Sequence, residues 1–292
     1  MGLGDQARNL AKQGKHQAFV VTKRTQRAAK AAKFAAATAA ATPYSALRPY
    51  KFDPSRYRRS FLAWEAPDRL EPSAAPRRVF AAWTGENDLT FARATNLAQM
   101  RETLGVPVEL VTPDNLSEWV VEGHPIHHAY AHLSLVHRSD YLRAYLLHHY
   151  GGGWSDIKAP RMTWAPFFSR MDFDEGAWLM SYRELTAASV ARLPGRLGLD
   201  LAMHHPRLVG CGAMICRPHT PFTGEWLRQV DRLLDYVGPQ AADHPGGVRG
   251  DVVGYPVSWT DLLGKVYHPL QLKYLEHVRV ENGMLLDFTD YQ

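Results

Sequence analysis

Cysteine is scarce in this chain: Cys211 and Cys216 are the only two in 292 residues. That excludes a disulfide framework and makes a reducing compartment the simpler expectation. Long apolar runs are also missing, and no stretch approaches the ~20 residues a spanning helix needs. The N-terminus lacks the compact apolar core and cleavage site of a secretory signal. A cytoplasmic protein, at most peripheral on the cytoplasmic membrane face, is therefore expected. There is no internal repeat. Zinc motifs are absent too, with neither HExxH nor Cys/His spacing, although seven of the fourteen histidines fall between His124 and His149. Those histidines read as exposed or core residues. What remains is an ordinary globular composition, 46% hydrophobic and 22% charged, in a chain long enough to bury a full-sized core.

Charge is unevenly spread. Residues 1–42 hold Arg8, Lys12, Lys15, Lys23, Arg24, Arg27, Lys30 and Lys33 against Asp5 alone. This excess is larger than the net +5 of the whole chain, so the remainder is slightly acidic. The Ala/Lys-rich arm, 1–45, has too little large apolar surface for a core and reads as helical or disordered. A solvated tail is one reading of it. The other is attachment to an anionic membrane surface through residues 1–42, at about 1 kcal/mol per basic residue. Nucleic acid is disfavoured as a partner, because no aromatics interleave the charges to stack on bases.

Residues 46–77, rich in Pro and Arg, read as a linker wrapping onto a domain that occupies 78–292. Val79 to Trp83 suits a central strand, Leu89 to Leu104 a helix and Pro107 to Val111 a second strand. Thr112-Pro113 should cap a further helix. Such alternation argues for an α/β fold with a mostly parallel sheet. Further on, Ala177 to Tyr182 reads as a strand. Leu208 to Cys216 reads as another, whose two glycines imply that something approaches its backbone closely. Thr220-Pro221 opens an amphipathic helix to about Val237. In the tail, Asn282-Gly283 suggests a hairpin turn.

The stretch from Ser139 to Lys158, SDYLRAYLLHHYGGGWSDIK, holds the chemistry. Leu142, Leu146 and His149 recur at helical spacing and leave Asp140 and Arg143 on another face. Ser139 is a fair N-cap, the run Gly151-Gly152-Gly153 should stop the helix, and Trp154 to Ile157 reads as a buried strand end. Asp156 then stands where a strand leaves the sheet, the place where ligands of open α/β sheets gather. Taken alone, a pair such as Asp140 with Arg143, three apart on a helix, is usually a solvated ion pair.

S-D-x-x-R followed by Tyr-Gly-Gly, an aromatic, one residue and Asp resembles the sugar-binding D-x-D segment of glycosyltransferases. That group comprises capsular polysaccharide synthesis proteins and Och1-like mannosyltransferases, with the glucosylating clostridial toxins as more distant members. The resemblance implies a GT-A fold, a Rossmann-type nucleotide-binding sandwich. It also implies transfer of a sugar from a UDP- or GDP-sugar to a polysaccharide or glycolipid acceptor, as in capsule or cell-surface glycan synthesis. Donor-sugar contacts fall on Asp140 and Arg143, with Gly152, Gly153 and Trp154 beside them, and the first motif acid on Asp156. Lys158 replaces the second acid. A divalent Mn²⁺ or Mg²⁺ on Asp156 is thereby put in question, and Lys158 itself becomes a candidate to neutralise the diphosphate. Trp83, in a Trp-x-Gly context, is the candidate to stack on the base, or else a core tryptophan. Near the C-terminus, GYPVSWTDLL resembles a segment that closes over the donor in Och1-like enzymes, and places Trp259 and Thr260 at the site. A non-catalytic sugar-nucleotide-binding or scaffold protein with a degenerate motif is the second reading.

Overall fold

The computed structural model describes residues 35–66 and 73–288, together with Ala29 and Ala32. Six strands form one sheet in the order β2-β1-β3-β5-β4-β6. They are β1 (Val79–Ala82), β2 (Val108–Val111), β3 (Gly152–Ser155), β4 (Leu179–Arg183), β5 (Val209–Cys216) and β6 (Val278–Val280). β1 pairs in parallel with β2 and β3, and β4 with β6, while β5 runs antiparallel between β3 and β4. The expected mostly parallel α/β sheet is present, with β5 as the reversed strand.

Alternation along the strands builds two cores. Phe80, Trp154, Met214 and Cys216 face one side. There they meet α3 (Leu135–His149), α6 (Pro221–Asp243) and α7 (Gly264–Lys273) through Tyr141, Tyr145, Trp226 and Tyr267. Val79, Ala81, Ala213 and Ile215 face the other side. Their partners come from α2 (Phe91–Thr103) and α4 (Ala165–Phe173), through Leu97, Met100, Phe168 and Met171. A helix over residues 35–47, α1, and α5 (Gly195–His204) complete the described helices. None of these is long and apolar enough to cross a membrane.

Several boundaries differ from the sequence expectation. α3 begins a turn earlier, because the Ser134 hydroxyl caps it by accepting from His137 N at 3.2 Å, so Ser139 lies inside the helix. Only Gly151 ends that helix, at φ 64°. Gly152 and Gly153 belong to β3, which closes at Ser155 and not at Ile157. The reason is space: a Cβ on Gly152, itself at φ 90°, would lie 2.9 Å from the carbonyl oxygens of Pro76 and Arg78. After β2, Asn115 Oδ1 accepts from Thr112 N at 2.8 Å and tightens the chain into a turn. Only a short 3₁₀ segment, Leu116–Trp119, follows in place of the expected helix. α6 runs past Gly238-Pro239 to Asp243, anchored by buried Val237 and Ala241. The tail makes no hairpin. Neither Asn282 nor Gly283 takes the positive φ that such a turn requires, and the chain forms a 3₁₀ turn that buries Met284.

Segment 46–66 lies against the body. Leu62 is fully buried, and the Tyr57 hydroxyl donates to Asp200 at 2.6 Å. α1 packs as well: Ala41 is fully buried, and Ser45 Oγ is 3.3 Å from His204 Nδ1. The reading of residues 1–28 as a helical or disordered arm lies outside the described residues.

Candidate functional site

Three elements converge at the carboxyl end of β3. α3 contributes Asp140 and Arg143, the residue after β3 is Asp156, and the start of β5 supplies backbone. Asp156 is pinned by its own amide, which donates to the Gly212 carbonyl at 2.8 Å. Two residues on, Lys158 N donates to the Asp156 carbonyl at 2.7 Å, which turns the chain and brings Lys158 back over the carboxylate.

Arg143 is the hub. Its Nη2 donates to Asp156 Oδ1 at 2.9 Å, its Nη1 donates to the Cys211 carbonyl at 2.7 Å, and its guanidinium lies 4.8 Å over the Trp154 ring. Asp140 Oδ1 stands 3.7 Å from the same Nη2, beyond hydrogen-bond reach. Lys158 Nζ takes the other oxygen of Asp156 at 3.0 Å and lies 4.3 Å from the Phe288 ring centre. Asp140, Arg143 and Lys158 are all buried, whereas 24% of the Asp156 side chain is exposed.

The two acids are held in opposite states. Burial pushes the Asp140 carboxyl up to about 7, with Arg143 pulling it down and Asp156 adding to the rise. Burial would raise Asp156 as well, but Arg143 and Lys158 outweigh it and hold that carboxyl below the usual carboxylate range. Among the described residues none donates a hydrogen bond to the Asp140 carboxyl, and Arg143 Nε is buried without an acceptor. The site therefore keeps polar groups that a ligand could satisfy.

Other expected residues fall differently. Gly152 and Gly153 are buried at the far end of β3, where they let the 76–79 backbone approach; they do not line the cluster. Trp154 is buried beneath Arg143, with its Nε1 3.4 Å from Asp156 Oδ1, so it supports the guanidinium and offers no open face. Trp83 sits half-buried just after β1 with its Nε1 donating to the Asn87 carbonyl at 2.6 Å. Trp259, 60% exposed, and half-buried Thr260 lie on the segment leading to α7.

That segment does reach α3, through Tyr255, to which the sequence reading gave no role. The Tyr255 hydroxyl is 2.8 Å from His137 Nδ1 and accepts from Ser134 N at 3.1 Å. Tyr182 was missed as well. Its ring fills the space left by Gly210, where a Cβ would fall 2.1 Å from Tyr182 Cε2, and its hydroxyl accepts from Gly212 N at 3.3 Å. A Cβ on Gly212 would meet both Tyr182 Oη and Asp156 Oδ2, at 3.2 and 3.3 Å. The paired glycines of β5 were the available signal, and Tyr182 with Asp156 is what approaches them.

A divalent ion was expected, if anywhere, on Asp156. Both oxygens of that carboxylate already face cations, and among the described residues no group of three or more His, Cys, Asp or Glu is placed to hold a metal. The donor set present does not fit such an ion. Compared with known proteins, the chain matches no family model and no curated protein.

Proposed function

We propose that this protein is a glycosyltransferase of GT-A-like architecture, moving a sugar from a UDP- or GDP-sugar to a polysaccharide or glycolipid acceptor. The observation that carries the reading is Asp140, a buried carboxyl beside a buried arginine with no hydrogen-bond donor from the described residues. Leaving such a group unpaired is costly, and a sugar hydroxyl is a donor of the right kind. Its place at the carboxyl end of a central strand in an α/β sheet supports the same reading.

Glycosyl transfer builds positive charge on the sugar ring and negative charge on the departing diphosphate. Fixed charges that need no reorganisation are what such a step requires. Asp140 and Arg143 would hold ring hydroxyls and orient the sugar. Asp156 keeps Arg143 in place and, being partly exposed, offers its own edge to the ligand. Lys158 is the cation available to the diphosphate. To reach it, its ammonium must exchange Asp156 for a phosphate oxygen and move from beneath Phe288.

The second reading is a sugar-nucleotide-binding or scaffold protein without turnover. It is favoured by one specific contact, the Lys158–Asp156 pair, which occupies the motif acid.

A thermal-shift screen over common UDP- and GDP-sugars, in EDTA, comes first, followed by donor turnover on any hit. Stabilisation with turnover is expected. Asp156→Asn should stay folded while turnover falls by orders of magnitude. Stabilisation without turnover selects the second reading. If no donor shifts the melting temperature, with or without manganese, both are wrong.

A further inference from the structure

A cleft of about 1200 Å³ that the site leaves unused lies between segment 55–64, the first turn of α5, the middle of α6 and the first turn of α7. Five cations line it, Arg56, Arg58, Arg59, Arg196 and Lys265, against one acid, Asp261. That concentration is notable because the chain beyond residue 42 is slightly acidic as a whole. Walls of one sign focus field into a cleft and draw in opposite charge. Three of the cations have acidic partners: Arg56 with Asp53 at 3.5 Å, Arg196 with Asp200 at 2.8 Å and Lys265 with Asp261 at 2.5 Å. Arg58 and Arg59 are exposed and form no ion pair among the described residues.

Two observations narrow what the cleft could take. Gln229 lines it, and its Oε1 is buried with no hydrogen-bond donor, an amide open to a hydroxyl. Phe61 and Trp64 add aromatic surface, although Arg232 already covers one face of Trp64 at 3.9 Å. The first turns of α5 and α7 face the cleft without a side-chain cap, and their partial positive charge adds to the cations. Guanidinium groups suit carboxylate and phosphate oxygens, a free amide suits hydroxyls, and aromatic faces suit sugar rings. The volume exceeds the roughly 300–1,000 Å³ of a small-molecule pocket, which fits a chain of several units.

Asp261 lines the cleft, accepts from Ser258 N at 2.9 Å and follows directly on Trp259 and Thr260, on the segment that brings Tyr255 to α3. We infer that this cleft binds an acidic oligosaccharide, one bearing carboxylate or phosphate groups, which in the glycosyltransferase reading is the acceptor. Only that last role rests on the proposed function; the binding does not.

The test uses the full chain without donor, titrated calorimetrically with an oligogalacturonate, a phosphate-bearing glycan, a neutral oligosaccharide of equal length and a single-stranded oligonucleotide of equal charge. Hydrogen exchange then maps where each ligand protects the backbone. Binding of either charged glycan, with protection at residues 55–64 and 193–197 and little binding of the neutral one, is expected. The double variant Arg58→Glu/Arg59→Glu should weaken it about tenfold, and Gln229→Ala should weaken it as well. An unchanged melting temperature serves as the folding control. Protection confined to the basic arm, indifference to the double variant, or equal protection of the cleft by the oligonucleotide would overturn the inference. Donor turnover without charged-glycan binding would overturn it alone, and glycan binding without turnover would leave it standing while the glycosyltransferase reading fell.

Discussion

Asp140 and Asp156 share one arginine yet respond to pH in opposite senses, and the difference is measurable. In the unfolded chain an aspartate titrates near 3.8, whereas in the folded protein burial carries Asp140 to about 7. Between those values the folded state binds the extra proton, so stability falls as pH rises through that window. The contribution is fully present below the unfolded value and is gone above about 7. Asp156, held low against burial by Arg143 and Lys158, behaves the other way. Its contribution is present above the usual carboxylate range and is lost only below it, in more acid solution. The two windows do not overlap. His148 and His149, lowered by burial and by neighbouring imidazoles, also titrate in the Asp140 window with the opposite sign, so a single-protein pH curve would mix them. The difference between wild type and Asp140→Asn removes that background. Urea unfolding at pH 5 and at pH 8 should show wild type losing stability relative to the variant, by up to about 1.4 kcal/mol per pH unit within the window. A pH-independent difference would mean that Asp140 is not held protonated by its surroundings.

Strand β5 is the element that the site depends on through its backbone and its two glycines. Gly210 admits the Tyr182 ring and Gly212 admits the Asp156 carboxylate, while the Cys211 carbonyl between them anchors Arg143. Gly210→Ala puts a methyl 2.1 Å from the Tyr182 ring, so the ring or the strand must shift, and it should cost about 1–3 kcal/mol. Gly212→Ala meets only contacts of 3.2 and 3.3 Å and should cost less while shifting the Asp156 carboxylate. Denaturant midpoints of the two variants give the order, and the reverse order would show that Tyr182 yields easily. This is also where the limits of reading the sequence lie. Most strands and the long helices followed from apolar spacing and glycine position, as did the approach of Asp140 and Arg143 on a helix to Asp156 at a strand end, whereas the helix expected after Thr112-Pro113 did not form. What spacing cannot give is the partner in space. Tyr182 comes from a strand two along in the sheet from β3, and Tyr255 lies more than a hundred residues from the serine and histidine it binds. Gly152 and Gly153 carried the same letters as ligand-binding glycines, and only the path of residues 76–79 shows that they serve packing. The hairpin expected at Asn282-Gly283 fails for a related reason: burial of Met284 and Leu286 in the second core outweighs a local turn preference.

At the scale of the whole molecule, the arm and the body meet at a different place from the one composition suggests. The alanine-rich run looks continuous with the basic segment, which put the boundary at residue 45. In the structure α1 is part of the body: Ala41 is sealed, Tyr44 packs on His204 with ring centres 5.6 Å apart, and Ala187 N donates to Thr38 Oγ1 at 3.0 Å. All eight basic residues of the arm precede residue 34, so charge and packing can be separated by where the chain is cut. Removing 1–34 takes away the cations and leaves the packed helix. Removing 1–47 takes both, uncovering His204 and the surface beneath Ala41. If the arm attaches the protein to an anionic membrane, the shorter deletion should abolish binding to phosphatidylserine vesicles while leaving the melting temperature and any donor binding unchanged. The longer deletion should lose vesicle binding and also melt several degrees lower, since contacts made only in the folded state are gone. Vesicle sedimentation and thermal melts on the three proteins decide the matter. Equal vesicle binding by the full chain and the 35–292 protein would remove the membrane role, and equal melting of the two truncated proteins would show that α1 adds nothing to the fold it lies on.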